Sequence, residues 1–330
     1  MKKTIYIFND GEIKRKDNTL CFESETGKRY IPIEDVNDIF VFGEVTINKS
    51  LLEYISQKEI LLHFFNYYGY YVGTYYPREH LNSGYMILKQ AENYIDEAKR
   101  MVLASSFVEG SSKNILNVLR YYKNRGKDLE DLEGAILSLQ EKIGTCKNTE
   151  ELMGIEGNIR DTYYKGFDKI IENDKFTFEQ RTRRPPQNYL NTLISFGNSI
   201  LYVLVLSEIY KTHLDPRIGY LHTTNFRRFT LNLDIAEIFK PIIIDRIIFT
   251  LISKKMISEN DFEKDMGGIL LKEKGRKLFV QEFDDKLGTT IQHRELGRQV
   301  SYRRLIRMEL YKIEKHLMGE KDYSPYISRW

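Results

Sequence analysis

Two stretches carry residue types that could do chemistry on a phosphate. In "GIEGNIRDTYY", Gly154 to Tyr164, one carboxylate, Glu156, stands between Gly154 and Gly157. Glycine lets a ligand approach the backbone without a side chain in the way, so a large group such as a metal and its phosphate could come near Glu156. A surface carboxylate in a turn would read the same. In "IGYLHTTNFRRFTLNLDIAEIFKPIIIDRI", Ile218 to Ile247, the chain offers His222, then Asp234, Glu237 and Lys240, then Asp245 and Arg246. Asp234, Glu237 and Lys240 are three apart and share a face if helical. Asp234 sits where an N-cap would, and Pro241 predicts a kink or a fresh helix start. A neutral imidazole with carboxylates suits Mn²⁺ or a Mg²⁺-like ion, which can polarise a phosphate and activate an attacking oxygen. A lysine nearby could hold a phosphate as a point charge. Each residue also has a plainer use: a structural histidine, a helix cap, a solvated Glu–Lys pair.

Basic segments accompany these. "EQRTRRPPQNYLNTLISFGNSILY" places Arg181, Arg183 and Arg184 before two prolines, ahead of an amphipathic helix carrying Leu190, Leu193 and Ile194. "RELGRQVSYRRLIRMELYKIEKHLMG" reads as a basic helix. Its buried stripe is Ile306, Leu310, Ile313 and Leu317, with Arg304, Lys312 and Lys315 pointing away. Such a helix could track a nucleic-acid backbone, or be an ordinary helix with a charged outer face.

The elements that must position these residues change character along the chain. Up to about residue 80 the pattern is strands: "TIYIF", a hairpin-type turn at Asn9, Asp10 and Gly11, "TLCFE" and "RYIPI" around "SETGK", then "DIFVFG", "LLHFFN" and "YYVGTYY". Only "NKSLLEYISQKE" looks helical there, capped by Asn48 or Ser50. After Pro77 the spacing is helical to the end, with an interruption at Gly110 to Ser112 and no good strand. Strands followed by helices predict two domains rather than alternating units, divided near Tyr75 to Ser83, as 1–78 and 79–330.

Composition narrows the classes. The 330 residues are 42% hydrophobic and 29% charged, enough for sizeable cores. No uninterrupted apolar run approaches the roughly 18 residues of a membrane helix, and no signal segment or membrane association is expected. Cys21 and Cys146 make no metal-type pair, and a reducing cytoplasm without disulfides is expected. The net charge of +3 does not announce a nucleic-acid binder, so such a site needs local clustering. P-loop, HExxH, CxxC and EF-hand patterns are absent, as are a Glu-x-x-His pair and a nucleophile elbow.

Four segments in order, "GIEGNIRDTYY", "RRPPQNYLNTLISFGNS", "GYLHTTNFRRFTLNLDIAEIFKPIIIDR" and "YSPY", resemble the CRISPR-associated endonuclease and integrase that captures new spacers. The stretch from "IPIEDVNDIFVFGE" to "YYVGTYYP" resembles that family's β-domain, so the likeness covers essentially the whole chain. It implies an α+β fold: a small N-terminal β-sandwich-like domain and a larger all-helical catalytic domain. It implies a metal site of Glu156, His222 and Glu237, with Asp234 as a further acid and Mg²⁺ or Mn²⁺ as cofactor. Lys240, Arg184, Arg183 and Arg160 would contact phosphates. A 3′-hydroxyl of spacer DNA would attack a phosphodiester of the CRISPR repeat; with water, the same site would hydrolyse DNA. Implied partners are DNA, a second copy through the β-domain, the small ferredoxin-like second subunit of the adaptation complex and, in some subtypes, an iron–sulfur nuclease. Asn188 and Asn198 depart from the family, which usually has Asp and Tyr there. The rival readings are a DNA-binding scaffold without chemistry and a metalloenzyme acting on a small phosphorylated substrate.

Overall fold

The structure, a computed structural model, describes residues 2–78, 81, 83–222, 229–265, 267–293 and 296–329. The chain divides into two compact units, Met1–His80 and Leu81–Trp330.

The first unit holds two four-stranded sheets. Strands β1 (Lys3–Ile7), β5 (Val36–Val41), β7 (Leu61–Phe65) and β8 (Tyr71–Tyr75) form one, in the order β1-β5-β7-β8. Strands β4 (Gly27–Pro32), β3 (Thr19–Ser24), β2 (Gly11–Lys16) and β6 (Val45–Ile47) form the other, in the order β4-β3-β2-β6. Alternating residues of both, including Ile39, Val41 and Leu62 from one and Ile13, Leu20 and Ile31 from the other, share a single core. Helix α1 (Lys49–Gln57) closes it with Leu51 and Ile55, and Asn48 caps α1 by accepting from the Leu51 N–H. One expectation is corrected. Asn9 to Gly11 is not a hairpin turn, because β1 and β2 lie in different sheets. The chain crosses over there, and the Asp10 carboxylate anchors the crossing on the Glu44 N–H at 2.8 Å. Gly11 is needed because a Cβ would sit 2.2 Å from the Glu23 carbonyl oxygen.

The second unit is mostly helical: α2 (Gly84–Ile95), α3 (Glu97–Lys123), α4 (Glu130–Glu141), α5 (Thr149–Tyr164), α6 (Phe167–Ile171), α7 (Tyr189–Ile209), α8 (Leu231–Phe239), α9 (Arg246–Ser253), α10 (Glu273–Gly288) and α11 (Tyr302–Leu317). Two short hairpins interrupt it, β9 (Phe262–Asp265) with β10 (Gly268–Leu271) and β11 (Thr290–His293) with β12 (Arg298–Ser301). The sequence reading missed both. Part of the stretch read as one basic helix is β12, and α11 starts only at Tyr302, although its stripe Ile306, Leu310, Ile313 and Leu317 is buried as expected. Lys312 does not point freely outward: it pairs with Glu309 at 2.6 Å and the Ser324 carbonyl at 2.6 Å.

Helix α3 runs unbroken through Gly110 to Ser112, against expectation. The small residues mark a close approach rather than a break. A Cβ on Gly110 would lie 2.5 Å from Cβ of Pro325, so the C-terminal segment lies directly on the helix there. Asn114 fastens it, donating to the Ile238 and Tyr326 carbonyls and accepting from the Ser328 N–H. Helix α7 is long and apolar enough to cross a membrane, but most of it is buried within the unit, as a core helix. Helices α3, α5, α7 and α8 pack together and carry the site.

Candidate metal and phosphate site

Glu156 lies within α5, not in a turn. A Cβ on Gly154 or Gly157 would meet nothing within 4 Å, so the helix face beside Glu156 is open. One turn on, Arg160 projects inward and is buried. Its guanidinium reaches three carboxylates: Nη2 to Glu237 Oε2 at 2.6 Å, Nε to Glu156 Oε1 at 3.7 Å and Nη1 to Asp245 Oδ2 at 3.8 Å. This differs from the expected phosphate contact, since the arginine is the internal counter-ion of the acids.

Asp234 is likewise not the cap of its helix. Thr230 precedes α8, and Asp234 sits in its first turn, fully buried. Its carboxylate accepts from the N–H groups of Tyr220 at 2.6 Å, Leu221 at 3.1 Å and His222 at 2.9 Å, and meets His222 Nδ1 at 2.7 Å. A carboxylate here accepts, so Nδ1 carries the proton and the neutral ring keeps its lone pair on Nε2. Gly219 permits this wrap, because a Cβ there would be 2.8 Å from Asp234 Oδ2.

Glu237 follows one turn later, with Lys240 ion-paired to its Oε1 at the end of α8. Pro241 has no N–H and would crowd the carbonyl four residues back. The chain answers with a wide π-helical turn, Pro241–Asp245, closed by the Asp245 N–H on the Lys240 carbonyl at 3.1 Å. At about 100° per residue, eight regular positions would leave Asp245 roughly 80° round from Glu237. The wide turn takes up about one residue of rotation, and both carboxylates reach Arg160.

The charges set one another. Burial pushes Glu156 up, the neighbouring Glu237 adds to this, and Arg160 opposes it. Burial also disfavours ionised Glu237, but Lys240 and Arg160 more than offset it and hold the carboxyl well below its ordinary range. Burial pulls His222 down, yet the bond to Asp234 outweighs it and the ring sits above its usual value. Burial raises Asp245 to about 7, against the pull of Arg160.

The structure thus brings Glu156, His222, Glu237, Asp234, Lys240 and Arg160 to one place. Arg183 and Arg184 lie exposed on the loop before α7, while Arg181 turns inward onto Asn191 at 2.9 Å and Ser195 at 3.0 Å. Asn188, where the family usually has Asp, caps α7 through the Asn191 N–H at 2.8 Å. Sequence reasoning assigned no role to Asp245, because the proline between it and Glu237 hides their common direction.

The family described as CRISPR associated protein Cas1 matches residues 5–285. The chain belongs to the Cas1 family. Cas1 relatives match it end to end: "CRISPR-associated endonuclease Cas1 2" of Thermodesulfovibrio yellowstonii is 59% identical over 330 residues, covering 100% of both chains. The Thermotoga maritima CRISPR-associated endonuclease Cas1 is 52% identical over 97% of this chain and 98% of its own. A solved CAS1 protein from Thermotoga maritima superposes with a TM-score of 0.90 at 50% identity, covering 98% of this chain and 99% of that one. The Cas1 fold extends to a casposase bound to its integration product, with a TM-score of 0.85 at 21% identity over 100% of this chain and 96% of that one.

Proposed function

We propose that this Cas1 chain is a divalent-metal-dependent DNA endonuclease and integrase that inserts spacer DNA into a CRISPR array. The observation that carries this is the convergence of Glu156, Glu237 and His222 from α5, α8 and the loop held by Asp234. Two carboxylates and one imidazole suit Mg²⁺ or Mn²⁺, and burial, with Glu237 adding to it, holds Glu156 above its ordinary range, a cost of ionisation that a bound dication would offset. Among the described residues no three acids, histidines or cysteines already stand as a metal-holding group, so these ligands would close on the ion as it binds. When bound, the ion supplies polarisation of the scissile phosphate and activation of the attacking oxygen.

The chain's own residues do the rest. Asp234 aims Nε2 of His222 and fixes its tautomer. Lys240, over the ring of Tyr202 at 4.8 Å, adds positive charge where the phosphate's charge develops during in-line attack by a 3′-hydroxyl. Arg183 and Arg184 hold flanking DNA phosphates. The N-terminal unit joins two copies, and the small ferredoxin-like subunit completes the assembly. One feature favours the scaffold reading instead: both oxygens of Glu237 already meet cations. A gel assay on branched DNA with Mn²⁺ or Mg²⁺, with and without the second subunit, decides between them. Wild type should cut or rejoin a strand, whereas Glu156→Ala and His222→Ala should bind DNA, melt normally and do neither. Activity retained by His222→Ala would sink the assignment.

A further inference from the structure

Behind the site, a guanidinium and a carboxyl face each other without touching. Arg160 Nη1 and Asp245 Oδ2 are 3.8 Å apart, both buried, and neither has a partner at close hydrogen-bond geometry, although the Tyr163 hydroxyl also faces the Asp245 carboxyl. A charged hydrogen bond would close to about 2.8 Å. Leaving buried polar atoms unmatched costs free energy, of order 1–3 kcal/mol each. On its other side the same guanidinium is fully engaged, with Nη2 on Glu237 Oε2 at 2.6 Å and Ser111 Oγ at 3.4 Å. Asp245 is fixed by the π-helical turn and 1% exposed, so it can receive a partner but not travel to one.

We infer that Arg160 has two seats, one on Glu237, taken here, and one on Asp245, taken when a divalent cation occupies Glu156 and Glu237. The inference rests on the metal reading above. A dication beside those carboxylates repels the guanidinium, and a shift of about 1 Å lets Nη1 close on Oδ2. Without Asp245, two carboxylates would face the ion and two buried cations together. Asp245 acts through Arg160 and is therefore a positioning residue. Its burial and raised carboxyl, about 7, agree with an acceptor that ionises fully only when the arginine arrives.

The test uses the full chain without DNA. Mn²⁺ affinity is measured by calorimetry, and melting is measured without metal, for wild type, Asp245→Asn, Arg160→Gln, the double variant and Glu156→Ala. Asp245→Asn should weaken Mn²⁺ binding roughly tenfold while leaving the metal-free melting temperature unchanged or higher. Arg160→Gln should bind Mn²⁺ more tightly than wild type and melt earlier without it. In the Arg160→Gln background the Asp245 change should have no further effect on affinity. Wild-type affinity in Asp245→Asn, or the same tenfold loss in the double variant, overturns the inference alone. If Asp245→Asn does not fold, weaker Mn²⁺ binding by Arg160→Gln overturns it. Mn²⁺ binding absent from wild type, or unchanged in Glu156→Ala, overturns the metal reading and this inference with it.

Discussion

Asp234 shows how one buried carboxylate can hold a loop and orient a ring through hydrogen bonds. It gathers three consecutive N–H groups and the imidazole of the third residue, from a position twelve residues along the chain. Only an ionised, acceptor-only group can serve all four donors. Asn in its place would turn an NH₂ towards one of them. Asp234→Asn should therefore lower stability by about 2–3 kcal/mol, read by urea melts. It should also lower Mn²⁺ affinity and strand cleavage roughly 10–100-fold through the misdirected ring. Normal cleavage in this variant would mean that His222 needs no such aim. The glycines beside Glu156 work differently: neither is forced by packing, and both leave room on an open helix face.

Helices act here through their irregular points. The π-helical turn after Lys240 re-aims Asp245, and Gly110 admits the C-terminal segment onto α3. Helices α7 and α11 pack together and share a buried acid. Glu208, 0% exposed, takes Arg303 Nε at 2.9 Å and Arg307 Nε at 2.6 Å, with Lys211 at 3.5 Å. Burial alone would raise its pKa, but Lys211, Arg303 and Arg307 hold it below the ordinary 4.5. A depressed folded-state pKa stabilises above the unfolded value, and that stability is lost as pH falls through the folded one. Glu208→Gln should thus cost about 3 kcal/mol at pH 7. The difference from wild type should persist down to about pH 4.5 and shrink only below it, as denaturant melts across that range would show. A difference that shrinks between pH 7 and 5 would refute this.

For the whole molecule, a net charge of +3 cannot by itself hold DNA, so local cations must. Most basic groups near the site are internal: Arg160 and Lys240 neutralise Glu237, and Arg181 braces α7. Under the proposed function, the exposed pair Arg183 and Arg184 takes the flanking phosphates. Replacing both with alanine should reduce the slope of log affinity against log salt by about two, measured by anisotropy on duplex DNA, with melting unchanged. An unaltered slope would place the DNA path elsewhere.

The sequence by itself determined the change from period-two strands to helices near residue 80, a cap for α1 at Asn48 or Ser50, the α11 stripe and the residue types of a phosphate site. These are local patterns, written in neighbours two to seven positions apart. Only tertiary structure decided that Asn9 to Gly11 crosses between sheets, since the same residues suit either turn. Only it decided that Gly110 to Ser112 stays helical, because contact with Pro325 outweighs a modest glycine propensity cost. The site divides the same way. Glu156 and Glu237 were legible as carboxylates in suggestive company. That Arg160 lies between them, that Asp234 holds the loop instead of a helix end, and that Asp245 faces the same guanidinium depended on α3 packing against both α5 and α8. Hydrogen bonds and charges between residues far apart in sequence leave no period for a reader to find.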